Sequence, residues 1–362
     1  MSARKFPRKI KRVVIKLGSS LIATDQLKPS MELLQSLIKQ ISELRDRGID
    51  VAIVSSGAIV LGLGELNRRS RDVEVAFLQA SASVGQTILM RAYSDLFKMH
   101  QKICAQVLLT WDDFDDRDRF TNARRTLNTL FDHGVIPVIN ENDAISNDEI
   151  KFGDNDKLSA MVSSLVQADL LILLSDVDGI YEEISGKKEY LREVKDVKDV
   201  AHLAKGTAKR LFSKGGMTSK LEAIHIVGHA KIPCIIANGF MENVIERIMN
   251  RERVGTFFIE KSEKMLDRKH WISFGAKPKG KLWIDDGARE ALLKGGRSLL
   301  LPGVKKWEGH FAKGDVVIIY GQDNHELARG LVNYSLVELE KIEEKKGKAE
   351  VIHCDDLILS QR

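Results

Sequence analysis

An α/β fold, a three-layer αβα sandwich on a largely parallel open sheet with a small β-rich domain after it, is what the sequence predicts. Three observations predict it. In the first 260 residues, short β-branched runs alternate with longer stretches of helical periodicity. Most of those runs are apolar at consecutive positions, as strands covered on both faces must be. Beyond residue 260 the alternation stops, and short strand-like runs separated by glycines take over.

Strands are expected at 12–17, 51–55, 104–110, 135–140, 170–175, 233–237 and 256–259. Between the first two, Leu33, Leu34, Leu37, Ile38, Ile41 and Leu44 fall on one stripe of a helix over 31–47. Further helices are expected over 73–98, 119–133, 157–167 and 219–230. Residues 1–260 read as one domain, 261–276 as a charged linker and 277–362 as the β-rich domain. Within the last, strands are expected at 281–284, 298–301, 315–320 and 327–332.

Composition narrows the class. The 362 residues are 43% hydrophobic and 30% charged, an ordinary globular mixture that excludes collagen, coiled coil and disorder. The formal charge of +5 is local, because Arg4, Lys5, Arg8, Lys9, Lys11 and Arg12 precede any acid. A basic N-terminal arm therefore accounts for it, and a nucleic-acid-coating surface is not indicated. Lys16 and Gly18 cut the first apolar run short of a signal peptide, and no run reaches the ~20 residues that span a bilayer. A cytoplasmic, non-membrane protein is expected. Cys104, Cys234 and Cys354 lack metal-ligand spacing, and the first two sit in apolar runs as buried thiols would.

Four polar or glycine-rich clusters stand where strands end, the place where open α/β sheets bind ligands. Lys16-Leu17-Gly18-Ser19-Ser20 sets a cation beside free backbone N–H groups, equally compatible with a surface turn. Ser55-Ser56-Gly57-Ala58-Ile59 opens a helix, and its N–H groups suit an anion, although a plain Ser cap reads as well. Asn140-Glu141-Asn142-Asp143 and Gly153-Asp154-Asn155-Asp156 are too dense in carboxylates and amides for Asx turns alone, and they suit an ammonium or phosphate-bound lysines. Gly215-Gly216-Met217-Thr218-Ser219-Lys220 is a phosphate cradle at a helix start, with the wrong order and position for a P-loop. His225 and His229 lack a third ligand for metal. The Asp112–Asp118 carboxylates lack the calcium-loop glycine and read as an acidic helix start.

Taken in this order, Lys-Leu-Gly-Ser-Ser, Ser-Ser-Gly-Ala-Ile, Asn-Glu-Asn-Asp-Ala, Gly-Asp-Asn-Asp and Gly-Gly-Met-Thr-Ser-Lys closely resemble the glutamate 5-kinase branch of the amino-acid kinase family. The tail, with Ile284-Asp285-Asp286-Gly287-Ala288, Leu301-Pro302-Gly303-Val304, Gly314-Asp315 and Ala328-Arg329-Gly330, resembles a PUA domain. Lys214 departs from the usual threonine before Gly-Gly-Met, and Ser175 replaces a threonine before Asp176 while keeping the hydroxyl.

The resemblance implies transfer of the ATP γ-phosphoryl to the side-chain carboxylate of L-glutamate, the first step of proline synthesis. It implies Lys16 and Lys220 on the transferring group, with Asp156 holding them. Ser56, Gly57, Asp143, Asp154 and Asn155 would bind glutamate. Ser175, Asp176 and Gly215, Gly216, Met217, Thr218, Ser219 and Lys220 would contact ATP. It also implies Mg²⁺ with no protein ligand assigned, feedback by L-proline, a homo-oligomer and RNA as a partner of the PUA domain. Two rivals are another amino-acid kinase, such as aspartokinase or a nucleoside-monophosphate kinase, and an RNA-binding protein. The tail's fifteen Lys/Arg against fourteen Asp/Glu give only a modest basic face.

Overall fold

The structure is a computed structural model and describes residues 4–68, 74–146, 154–184, 187–204, 216–259, 269, 271–294, 296–344 and 349–360. The chain divides into two compact units, Met1–Asp113 with Arg117–Lys264, and Phe114–Asp116 with Met265–Arg362. Of the expected linker, 261–268 and 270 lie outside the described residues. Trp271–Gly275 forms a helical turn in which Trp271 and Ile272 are buried.

In the first unit β1 (Arg12–Leu17) leads through α1 (Ser19–Ile22) and α2 (Met31–Asp46) to β2 (Asp50–Ser55). Helices α3 (Ala58–Glu65) and α4 (Val75–Met99) precede β3 (Cys104–Leu109); α5 (Trp111–Asp115) and α6 (Arg117–Asp132) precede β4 (Ile136–Glu141). Next come α7 (Asn155–Leu165), β5 (Leu170–Ser175), the hairpin β6 (Tyr181–Ile184) with β7 (Lys187–Tyr190), and β8 (Glu193–Val194). The unit ends with α8 (Met217–His229), β9 (Cys234–Asn238), α9 (Val244–Met249) and β10 (Thr256–Phe258). The sheet order is β3-β4-β2-β1-β5-β9-β10-β8. Its first six strands run parallel, and β10 is antiparallel to β9.

Alternation along the strands assigns each side chain a face. Val13, Ile15 and Leu17 of β1, with Val51, Ile53, Leu170, Ile172 and Leu174, pack against α2, α4 and α9. Val14 and Lys16 therefore point to the opposite face, where α7 packs on β1 and β5 and α8 packs on α7. Both faces are covered, which explains the consecutive apolar residues of β1 and β5.

One expectation changes. Cys234 is buried, but Cys104 is only half-buried, because β3 is an edge strand. The basic N-terminal arm is tied to the body of the unit. Arg4 is buried, donates from Nη2 to Val254 O at 2.9 Å and lies over the Phe257 ring, and burial lowers its pKa to about 10. Arg8 pairs with Asp169 at 2.8 Å and Arg12 with Asp50 at 3.1 Å. These arginines fasten the chain's start to the amino-terminal ends of β2, β5 and β10.

The second unit is β-rich. Its strands β11 (Gly280–Ile284), β13 (Val304–Gly309), β14 (Val316–Tyr320), β15 (Glu326–Leu331) and β17 (Leu357–Leu359) form a sheet ordered β13-β11-β14-β15-β17, while β12 (Leu299–Leu300) pairs with β16 (Glu350–Ile352). Helices α10 (Asp286–Leu293) and α11 (Leu336–Glu344) complete it, around a core that includes Leu282, Ile284, Val317, Ile319 and Val351. Among the described residues no helix is long and apolar enough to cross a membrane.

Helices α3 and α4 touch backbone to backbone through two glycines. A Cβ on Gly62 would stand 1.7 Å from Ser81 O, and one on Gly85 would stand 1.8 Å from Ala58 O. Alanine normally favours a helix interior over glycine by roughly 1 kcal/mol. Here we expect the sign to reverse. Gly85→Ala should lower stability by about 2–3 kcal/mol through overpacking, read from urea unfolding followed by circular dichroism. A midpoint at or above wild type would refute this close contact.

Candidate active site

The alternation that buries Ile15 and Leu17 on one face delivers Lys16, near the end of β1, to the other. There the first turn of α7 presents Asp156, and the first turn of α8 presents Lys220. Lys16 Nζ lies 2.7 Å from Asp156 Oδ1, and Lys220 Nζ lies 2.9 Å from Asp156 Oδ2. All three are buried, with 5%, 4% and 1% of Lys16, Lys220 and Asp156 exposed. One carboxylate thus holds two ammonium groups side by side at the carboxyl ends of the strands.

Burial works against the charge of Lys16 and of Asp156. It lowers the pKa of Lys16, with the nearby Lys220 adding to the effect and Asp156 opposing it. For Asp156, burial pushes upward, but the fields of Lys16 and Lys220 and their hydrogen bonds outweigh it and hold the carboxyl at about 2. Asp156 therefore stays ionised at neutral pH. It can orient cations and cannot accept a proton there.

Next to this triad lies a network of amides. Asn155 is 3% exposed, and its Nδ2 lies within donor distance of Ser55 O (3.2 Å), Ser56 Oγ (2.9 Å) and Asn140 Oδ1 (2.9 Å). Asn155 Oδ1 is buried without a hydrogen-bond partner. Asp154 caps α7 by accepting from Lys157 N and also accepts from Ser219 Oγ, so it ties α7 to α8. Asp143 is buried just past β4. Gly57 adopts φ 107° at the start of α3, where a Cβ would fall 2.6 Å from Ile22 Cγ2; only glycine lets the α3 N-terminus open this close to α1.

On the nucleotide side of the prediction, Ser175 Oγ at the end of β5 is buried without a hydrogen-bond partner, and Ser175 O accepts from Gly239 N at 2.8 Å. Asp176 follows, half-buried. Gly216 and Thr218 are exposed at the α8 start, Ser219 is half-buried and Met217 is buried. Gly215, Lys214 and Gly153 lie outside the described residues.

The structure adds residues that motif reading passes over. Gln86 of α4 accepts from Asn140 Nδ2 at 3.0 Å, and Tyr93 OH meets Ser55 Oγ at 2.8 Å, with burial raising the Tyr93 pKa. Asp178 accepts from Asn238 Nδ2 at 2.8 Å and from Tyr190 OH at 3.2 Å, which anchors the β6–β7 hairpin to the end of β9. A signal for Gln86 was present: it lies four residues after Ala82 and three before Leu89, a polar residue on an apolar stripe.

Asp156→Asn leaves two buried ammonium groups facing each other without their anion. We expect a stability loss of about 3–5 kcal/mol in urea unfolding at neutral pH. A depressed carboxyl pKa stabilises above the unfolded value of 3.8 and loses that contribution as pH falls towards about 2. The gap between wild type and Asp156→Asn should therefore narrow over that acid window. A gap independent of pH would contradict the ionised triad.

The chain is similar to known proteins over nearly its whole length. Residues 11–238 match the model of the amino acid kinase family, and residues 280–354 match the PUA domain. A protein of Thermoanaerobacter sp. (strain X514) named glutamate 5-kinase is 41% identical over 365 residues, covering 97% of this chain and 98% of that one. A Dictyoglomus turgidum protein of the same name is 41% identical over 367 residues, with the same coverage. A solved UMP kinase from Bacillus anthracis matches with TM-score 0.49 at 17% identity, over 70% of this chain and 98% of that one. With strand-end lysines on a shared aspartate and these full-length relatives, the chain belongs to the amino acid kinase family, in its glutamate 5-kinase branch, and carries a C-terminal PUA domain.

Proposed function

We propose that this chain transfers the γ-phosphoryl group of ATP to the side-chain carboxylate of L-glutamate, giving glutamyl 5-phosphate for proline synthesis. The observation that carries the reading is the Lys16–Asp156–Lys220 triad. Two cations on one anion give the buried triad itself a net charge of +1, which suits a negative charge. A phosphoryl group in flight between two anions supplies that charge, and fixed cations stabilise it most where water is excluded.

The acceptor needs no base. A glutamate carboxylate has a reference pKa of about 4.3, so it arrives ionised at neutral pH. That agrees with a site whose central carboxylate cannot take a proton. In this reading Lys16 and Lys220 screen the repulsion between carboxylate and phosphate, and Asp156 keeps them aimed. Asn155, whose Nδ2 is engaged by Ser55 and Ser56 while its buried Oδ1 has no partner, binds the amino acid; Ser56, Gly57, Asp143 and Asp154 shape the same end. Ser175 Oγ and Asp176, with the α8 start, face the nucleotide.

Among the described residues, the Asp156 and Asp154 carboxylates are not open to a divalent cation. Both Asp156 oxygens meet lysines, and Asp154 is engaged by Ser219 and Lys157, so Mg²⁺ belongs with the ATP phosphates. RNA binding by the PUA unit rests on the domain match alone. Lys279, Arg289, Lys305 and Lys306 there each pair with an acid.

Formation of hydroxamate from glutamate, ATP and hydroxylamine tests the activity directly. Lys16→Ala and Lys220→Ala should each reduce kcat on the order of a hundredfold or more while the fold is kept. Near-wild-type turnover in either folded variant removes that lysine from the chemistry. L-proline, the pathway's end product, shares the α-carboxylate and cationic nitrogen of glutamate, and we propose that it inhibits by feedback. Hydroxamate formation at subsaturating glutamate should fall with millimolar proline; insensitivity would overturn this.

A further inference from the structure

Beside the amide network, a cavity of about 240 Å³ is bounded by α4, the ends of β3 and β4, and the start of α3. Its wall includes Ser83, Gln86, Thr87, Glu141 and Asp143 and, among the described residues, no Lys, Arg or His. That lining suits an ammonium better than a phosphate. Carboxylates together with neutral donors suit a group that carries both an ammonium and a carboxylate.

Backbone groups determine how the amides point. Glu141 N can only donate, and it donates to Asn140 Oδ1 at 2.9 Å. Asn140 Nδ2 must then face Gln86, whose Oε1 accepts at 3.0 Å. Gln86 Nε2 is consequently turned away from Asn140. Gln86 is 9% exposed and its Nε2 has no hydrogen-bond partner, while the residue lines the cavity. A buried donor left unpaired costs stability and is explained when a ligand supplies the acceptor.

We propose that Gln86 is a specificity-determining residue whose Nε2–H donates to the α-carboxylate of the amino-acid substrate, with the ammonium on the Asp143 and Glu141 side of the cavity. The inference rests on the glutamate-phosphorylating reading above. It assigns to α4 the task of telling an α-amino acid from a simple amine that has the same reactive carboxylate.

Removing the α-carboxylate of glutamate gives 4-aminobutyrate, so the two compounds form a cycle with Gln86→Met, which keeps side-chain volume and loses the amide. For glutamate, Gln86→Met should lower kcat/KM about tenfold or more, the worth of a hydrogen bond to a charged group. For 4-aminobutyrate, measured by hydroxamate turnover or by its inhibition constant against glutamate, the change should stay within about twofold. Equal losses for both compounds would overturn the proposal and make Gln86 only a support for Asn140. No loss for either would overturn it too. A wild-type protein that makes no hydroxamate from glutamate would sink the functional reading itself, and this control separates the two failures. Thermal melting of Gln86→Met verifies that the variant is folded.

Discussion

Asp156 between Lys16 and Lys220 is the contact on which the organisation of the first unit turns. Burying two ammonium groups next to each other is unfavourable twice over, through lost hydration and mutual repulsion, and only a fully ionised carboxylate within hydrogen-bond reach of both offsets this. Each member also comes from a different element: β1, α7 and α8. The relative placement of strand and helices is therefore tied to charge as well as to apolar packing. The residual positive charge is left at the carboxyl edge of the sheet, where parallel strands and helix N-termini already favour an anion.

From that edge the polarity changes with distance. The triad and the α8 start are cationic, and the amides of Asn155, Asn140 and Gln86 form a neutral bridge. The far cavity is lined by Glu141 and Asp143 and, among the described residues, by no cation. A substrate with an anionic reacting end and an ammonium at the other matches that gradient. The amide bridge has only one arrangement, because Glu141 N and Ser55 O sit at its sides and cannot exchange donor for acceptor. Directionality thus originates in the backbone of β2 and β4 and is passed on by side chains.

Packing on the other face of the sheet supports this geometry. The glycine contact between α3 and α4 brings α4 close enough for Gln86 to reach Asn140 and for Tyr93 to reach Ser55, both at strand ends. Side chains that would be called core from their helical stripe are in part the back wall of the site. The arginines at the chain's start show the same economy: the charge concentrated there holds the sheet together through Val254, Asp169 and Asp50.

Local pattern in the sequence determined a good deal. Consecutive apolar residues could only be strands covered on both faces, the Leu33–Leu44 stripe could only be an amphipathic helix, and polar clusters after strands could only sit at the sheet's carboxyl edge. Those are period and position effects, legible without neighbours. Tertiary structure alone decided which clusters meet. Lys16 and Lys220 are 204 positions apart and share Asp156 because β1 alternation turns Lys16 towards the α7–α8 face. Tyr93 and the arginine anchors stayed hidden for the same reason, and the polar signals of Gln86 and Asn140 named no partner. A polar residue on an apolar stripe, or a cation in a basic run, takes its meaning from the partner that folding brings to it, and hydrogen-bond direction exists only once donor and acceptor are in contact.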